Sequence, residues 1–251
     1  MKKIIFLGLL AFLFAALWYL PLSIIKPYAE QSIKGLKLNG ASGTAWNGEV
    51  KQLIVNNANF ENITWKVKPL KSLASFSLKF DFDVKGHELT ANGLASITLG
   101  KTVIIEDTKF ELDAALINKQ QKRARLSGEM KGSIKHAVLN KQDLPLIDGL
   151  VDWNNAAVSS PLIKLAQQGN YHAIITPGDS SDLNIQLRSS DAPMELSGKI
   201  TLNKEWLYNT NLNIKTNDAN LAAIIGMVGK KQANGMINIK KKGDLKPFIR
   251  K

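Results

Sequence analysis

The chain has 251 residues, of which 45% are hydrophobic and 22% charged, proportions that support a packed core and exclude wholesale disorder. Its formal net charge of +12 favours anionic partners, such as lipid headgroups, acidic protein surfaces or nucleic acid, although the lysines are scattered and only Lys240-Lys241-Lys242 forms a tight run, near an end expected to fray. It has no cysteine, which excludes disulfides, thiolate zinc sites, iron–sulfur clusters and a cysteine nucleophile.

Lys2-Lys3 is followed by Ile4 through Ile25 without a charge, and from Ile4 to Leu20 every residue is apolar, counting Gly8. A helix over this stretch covers roughly 30 Å, the thickness of a bilayer's hydrocarbon core. The spacing predicts a single membrane anchor over residues 4–25, with Ile4, Leu10 and Leu17 in lipid and Trp18 and Tyr19 in an interfacial aromatic belt. Lys2 and Lys3 would stay inside, so residues 1–25 form a cytoplasmic tip and anchor, and residues 26–251 an exported domain. A cleaved signal peptide is the competing reading, for which Pro27-Tyr28-Ala29 is a poor cleavage site. Either way residues 26–251 reach the same side of the membrane, and an exported chain is not expected to bind nucleic acid.

Beyond Pro27 the dominant period is two. Phe76, Leu78, Phe80, Phe82 and Val84 alternate with Ser77, Lys79, Asp81, Asp83 and Lys85, which predicts a strand with one packed and one wet face. The alternation returns at 110–114, 183–188, 212–215 and 237–240. Between the runs stand the turn signals Lys85-Gly86, Asn92-Gly93, Leu99-Gly100, Gly169-Asn170, Pro177-Gly178-Asp179 and Asn234-Gly235. Many short strands with frequent turns predict a mainly β fold, an antiparallel sheet domain following the transmembrane helix. One segment departs from this. Asp218 precedes Leu221, Ile224, Ile225 and Val228, and Gly229 follows, which predicts a short C-terminal amphipathic helix plugging one end of the sheet.

The chain also resembles itself. Gly48 to Leu53 is followed by Ile63-Thr64-Trp65, and Gly132 to Val138 by Leu150-Val151-Asp152-Trp153. In both, a glycine opens a strand and a later strand carries a tryptophan. This suggests an internal repeat of two related β units, roughly residues 38–115 and 126–217.

Chemistry is sparse. His87, His136 and His172 are far apart in sequence and lack metal-ligand spacing, so each reads as a surface or strand residue. Asp81 and Asp83 fall on the wet face of a strand. There is no G-x-S-x-G elbow, and Gly226 to Lys231 has the wrong glycine spacing for a phosphate loop. No catalytic, cofactor-binding or metal-ligating residue is predicted, and no cofactor. An enzyme would need a pocket gathering His172 with Asp or Glu.

The stretch Gly43-Thr44-Ala45-Trp46-Asn47-Gly48 sets a tryptophan between two glycines, a tight reversal anchored by a large amphipathic ring. Together with the single N-terminal membrane segment, it resembles the start of the exported domain in the type II secretion system protein N family, which has a Gly-Thr-x-Trp-x-Gly motif there. Trp65-Lys66-Val67-Lys68-Pro69-Leu70, Gly149 to Ala156, Leu196-Ser197-Gly198 and the leucine helix and glycine turn from Leu221 to Gly235 follow in the family's order, so the resemblance covers almost the whole chain. A departure is the use of lysine and asparagine where arginine is expected. The resemblance implies an accessory inner-membrane protein facing the periplasm, without catalytic activity, in the machine that moves folded proteins out through an outer-membrane secretin. Its partners would be other components of that machine, the inner-membrane platform or the secretin, and Trp46, Trp65 and Trp153 are the candidate contact residues. The anchored β-rich design is also similar to AsmA-like proteins, in which a long sheet curls into a groove for lipid tails. A periplasmic lipid-binding or lipid-transfer module is therefore the alternative. A groove lined by Phe76, Leu78, Phe80 and Phe82 would favour it, and a closed sandwich packed by the same residues would count against it.

Overall fold

The computed structural model describes residues 19–55, 58–119, 124–140, 143–159, 169–179 and 181–249. Of the anchor residues Ile4, Leu10, Leu17, Trp18 and Tyr19, only Tyr19 lies among them, and it is exposed. No helix among the described residues is long and apolar enough to cross a membrane. One helix running unbroken to Ile25 is ruled out. Leu20 is outside any helix, Pro21 is extended (φ −65°, ψ 142°), and a new helix, α1 (Leu22–Ser32), starts after it. Proline lacks the N–H that would continue a helix and drives the preceding residue out of the helical region.

The chain divides into two compact units, the first ending at Asn92 and the second starting at Gly93. The first unit continues from α1 with β1 (Leu36–Gly43), β2 (Asn47–Val55), β3 (Ala58–Val67), α2 (Pro69–Ser75) and β4 (Ser77–Lys85). These strands pair antiparallel in chain order. The next strand, β5 (Leu89–Thr98), contains the division between units. The second unit then holds β6 (Val103–Asp113), α3 (Ala115–Asn118), β7 (Arg125–Leu139), β8 (Leu146–Ser159), β9 (Gly169–Pro177), β10 (Leu183–Ser190), β11 (Met194–Leu202) and β12 (Leu207–Thr216). It ends with α4 (Ala219–Gly226), β13 (Lys230–Lys231), β14 (Ile237–Asp244) and α5 (Lys246–Ile249). Here too each strand pairs antiparallel with its sequence neighbour, except that β14 lies between β12 and β13. The expected mainly β, antiparallel fold is what the chain adopts.

Register explains how the second unit sorts its residues. One row of cross-strand partners reads Glu111, Lys131, Asp152, His172, Arg188, Ser197, Asn213, Asn238. The adjacent row reads Phe110, Gly132, Val151, Ala173, Leu187, Gly198, Leu212, Ile239. A one-residue step exchanges a polar face for an apolar one, so a slip of one residue anywhere would place charge among isoleucines. The apolar row is half-buried along its length. Full burial comes where α4 lies on the sheet: Leu221 and Ile225 pack with Ile214 of β12 and Ile237 of β14, flanked by Met194, Leu196, Leu212, Ala222 and Ile239.

Three sequence expectations change. The strand expected to begin at Phe76 begins at Ser77, and its first residues face the other way: Ser77 is buried while Phe76 and Leu78 are exposed. The cause is α2, which the sequence reading lacked; Pro69 opens it at a position where the missing N–H costs nothing, and Phe76 closes it in a left-handed conformation (φ 48°). Asn92-Gly93 is not a turn but the middle of β5. A Cβ on Gly93 would sit 2.0 Å from Thr108 Oγ1, so this glycine serves close strand contact over a buried threonine. Finally, α4 ends at Gly226, not near Gly229, leaving Val228 exposed. Gly229 instead passes against Ile237 and Ile239, where a Cβ would meet Ile237 Cγ2 at 2.5 Å.

The predicted start of α4 is as expected: the Asp218 carboxylate accepts the N–H groups of Asn220 (2.9 Å) and Leu221 (3.1 Å). Replacing Asp218 with Ala should cost about 1 kcal/mol in urea unfolding, and Leu221→Ala about 2–5 kcal/mol, since it opens a hole in the buried cluster beneath α4. An unchanged unfolding midpoint for Leu221→Ala would mean that α4 does not hold this end of the sheet.

Candidate interaction surfaces

The Gly43–Gly48 reversal joins β1 to β2. Gly43 takes φ +86° and pairs with Gly48 across the hairpin. The loop is closed by Thr44 N–H to Asn47 O (2.9 Å) and Asn47 N–H to Thr44 Oγ1 (3.1 Å). It is tied outward on two sides: Ala45 N–H donates to Leu20 O (3.2 Å), and Val67 N–H donates to Trp46 O (2.7 Å). Trp46 is half-buried, and a second ring, that of Trp65, also packs at the turn. Trp65 stands opposite Gly48 on β3 and donates its indole N–H to Ala45 O (2.9 Å). A Cβ at position 48 would lie 2.3 Å from the Trp65 ring, so the second glycine of the motif is a seat for an aromatic ring as well as a turn residue. Trp153, on β8, likewise donates its indole N–H to a backbone carbonyl, that of Ser127 (3.0 Å), and its ring centre lies 6.3 Å from that of Tyr171. The polar handles of Trp65 and Trp153 are thus used inside the fold, while both rings stay half-buried.

Several titratable groups pair with one another, most of them across strands and some along one strand. His172 Nδ1 meets Asp152 Oδ1 at 2.5 Å, the two residues being direct partners on β8 and β9. Their row continues with Lys131 on one side and Arg188 on the other, on the polar face of the sheet. Lys131 sits between Glu129 (3.2 Å) and Glu111 (3.3 Å), whose carboxylates raise its pKa, Glu129 most. Lys68 meets Asp81 at 2.6 Å and Lys85 meets Asp83 at 2.8 Å. His136 stands 4.0 Å from Glu106. Exposed pairs of this kind add little to stability; those that cross strands favour one register over its neighbours. So the structure does bring His172 to a carboxylate, as one link in a charge row. Among the described residues no group of three or more His, Asp or Glu side chains is placed to hold a metal ion.

Two cavities lie away from these pairs. One, of about 610 Å³, opens at the ends of β11, β12 and β14, against Thr201, Leu207, Tyr208, Lys242, Gly243 and Asp244. The other, of about 10 Å³, lies among Asn59, Glu61, Gly86 and His87; it fits one water, which Asn59 Oδ1, buried without a partner, would bind.

The sheet edges differ. At β1, the Glu30 carboxylate of α1 accepts the Leu38 N–H at 2.6 Å, so the helix occupies part of that edge. At the other end, Lys240-Lys241-Lys242 is not a frayed terminus but the centre of β14, paired with β12 up to Asp244. The alternation Ile237-Asn238-Ile239-Lys240 predicts the start of this strand, which runs on through the lysines to Asp244.

The Gly48–Trp65 contact gives a direct test. Gly48→Ala should destabilise by about 1–3 kcal/mol through overpacking, and should cost much less in a Trp65→Leu background, where the ring is gone. Equal losses in both backgrounds, measured by chemical unfolding, would show that the ring does not dictate the glycine.

No curated protein and no solved structure shows a significant match to the chain. The family described as type II secretion system (T2SS), protein N, matches residues 34–240, a span that runs from the start of β1 into β14 and takes in the Gly43–Gly48 turn, Trp65, Trp153 and α4. The chain therefore belongs to the type II secretion system protein N family.

Proposed function

We propose that the protein is an accessory, inner-membrane-anchored component of the type II secretion machinery, with its β-domain in the periplasm, and that it acts by contact with other proteins of that machine. The family match over residues 34–240 carries this reading. Two features support a role by contact. Among the described residues several titratable groups pair with one another, most of them across strands, and the chain offers surfaces: half-buried tryptophans, a polar face and a lysine-rich strand edge. The platform proteins and the secretin are the partners that fit, with Trp46, Trp65 and Trp153 as candidate contacts.

The lipid-binding alternative keeps one observation in its favour, the apolar row of the second unit that stays half-buried. The line Phe76, Leu78, Phe80, Phe82 is divided: Phe80 and Phe82 are half-buried. Phe76 and Leu78 are exposed, and Ser77 is the residue buried beside them.

A photoreactive residue at position 46, 65 or 153, activated in cells, separates the readings. Adducts with platform proteins or the secretin are expected. Phospholipid or lipopolysaccharide adducts with no protein partner would overturn the secretion reading in favour of lipid handling.

A further inference from the structure

Strand β14 ends the second unit on an edge whose geometry follows from its neighbours. On one side it pairs with β12 from Leu207↔Asp244 to Ile214↔Ile237. On the other side β13 reaches only Ile237 and Asn238, so Ile239 to Asp244 have no strand partner there among the described residues. Two bonds show which backbone groups face out. Leu245 N–H donates to Trp206 O (2.9 Å), extending the β12–β14 ladder, so odd-numbered residues bond toward β12. Gln232 N–H donates to Met236 O (2.7 Å), so even-numbered residues bond toward β13. Past the end of β13, the N–H and C=O of Lys240 and Lys242 therefore point away from the sheet.

The chemistry of this edge is one-sided. Residues 230–246 carry six lysines and a single acid, Asp244, whose carboxylate accepts the Lys246 backbone N–H at 2.7 Å. None of these lysines is ion-paired among the described residues. Lys240 and Lys242 stand opposite Asn211 and Asn209, on the polar face. A cavity of about 610 Å³, lined by Leu207, Tyr208, Lys242 and Gly243 together with Asp182 and Asp244, lies at the same end of β14.

We propose that the β14 edge takes up an acidic, extended segment of a partner protein as an added antiparallel or parallel strand. Main-chain bonds would go to Lys240 and Lys242, the partner's carboxylates would meet the lysines, and one of its side chains would enter the cavity. Lysines on an open edge normally repel other edges, and here they act as a filter: a second copy of β14 would set lysine against lysine, whereas an acidic strand neutralises them. This rests on the reading of the protein as one that works by protein contact, and it adds the site and the partner's chemistry.

The test is fluorescence anisotropy of a labelled, alternating Glu-Val decapeptide titrated with the full-length protein. Saturable binding is expected, weakened about tenfold or more when alternate peptide bonds are N-methylated, and abolished by the triple change Lys240→Ser, Lys241→Ser and Lys242→Ser. The Lys-Val counterpart should not bind. Lys242→Pro should weaken binding similarly without unfolding the strand, because the N–H it removes faces away from β12. Absence of binding overturns the proposal. So does binding indifferent to both N-methylation and Lys242→Pro, which would reflect charge alone. Lysine-dependent binding to phosphatidylglycerol-rich vesicles with no peptide binding would reassign the edge to a membrane surface and also overturn it. The assay involves no secretion component, so its failure leaves the crosslinking result standing, and the reverse holds.

Discussion

Every strand in this chain must place its backbone N–H and C=O groups somewhere, and nearly all are bonded by the strand next to it in sequence. Side-chain placement follows from that pairing. Once Glu111 is set opposite Lys131, and Lys131 opposite Asp152, the apolar residues one step away are forced into a common row on the other face. The glycines answer the same constraint. Gly48 seats the Trp65 ring, and Gly132 lies beneath the Phe110 ring, where a Cβ would be 2.5 Å from its Cζ. Fully buried apolar residues are few, and those of the α4 cluster gather where a helix adds a second layer.

Local pattern made much of this legible. Period-two alternation located β4, β10, β12 and β14, and Asp218 with its apolar stripe located α4, since both signals are complete within a few residues. What escaped depended on partners distant in sequence. Asn92-Gly93 is a turn signal by composition, and only the neighbouring Thr108 shows that the glycine is there for contact. The part played by Trp65 at the Gly43–Gly48 turn is not legible locally, because the pairing of Gly48 with Trp65 exists only once β2 and β3 are in register. His172 and Asp152 likewise meet only through the β8–β9 ladder. α2 was missed because it is too short to show a helical period, leaving Pro69 as its one local sign.

For function, the family match places the chain in the type II secretion system protein N family. Several charged side chains, His172 and Asp152 among them, are engaged with one another across strands. What the protein presents outward is extended surface: two faces of different character, rings held by their own indole bonds, and two edges managed in opposite ways, one met by a carboxylate from α1 and one lined with lysine.

Pairing between consecutive strands also governs the order in which the fold can be made. A strand that needs only its predecessor can dock as soon as it is available, with short loops to close and little chain entropy lost at each step. The exception is at the far end, where α4 and β13 intervene between β12 and β14. β14 must close a longer loop, and the cluster of Ile214, Leu221, Ile225 and Ile237 cannot form until it does. A nascent chain would therefore extend a ladder whose apolar rows lack their helical cover until the last strand arrives, and the lysines of that strand would then be the final charges set at the open end.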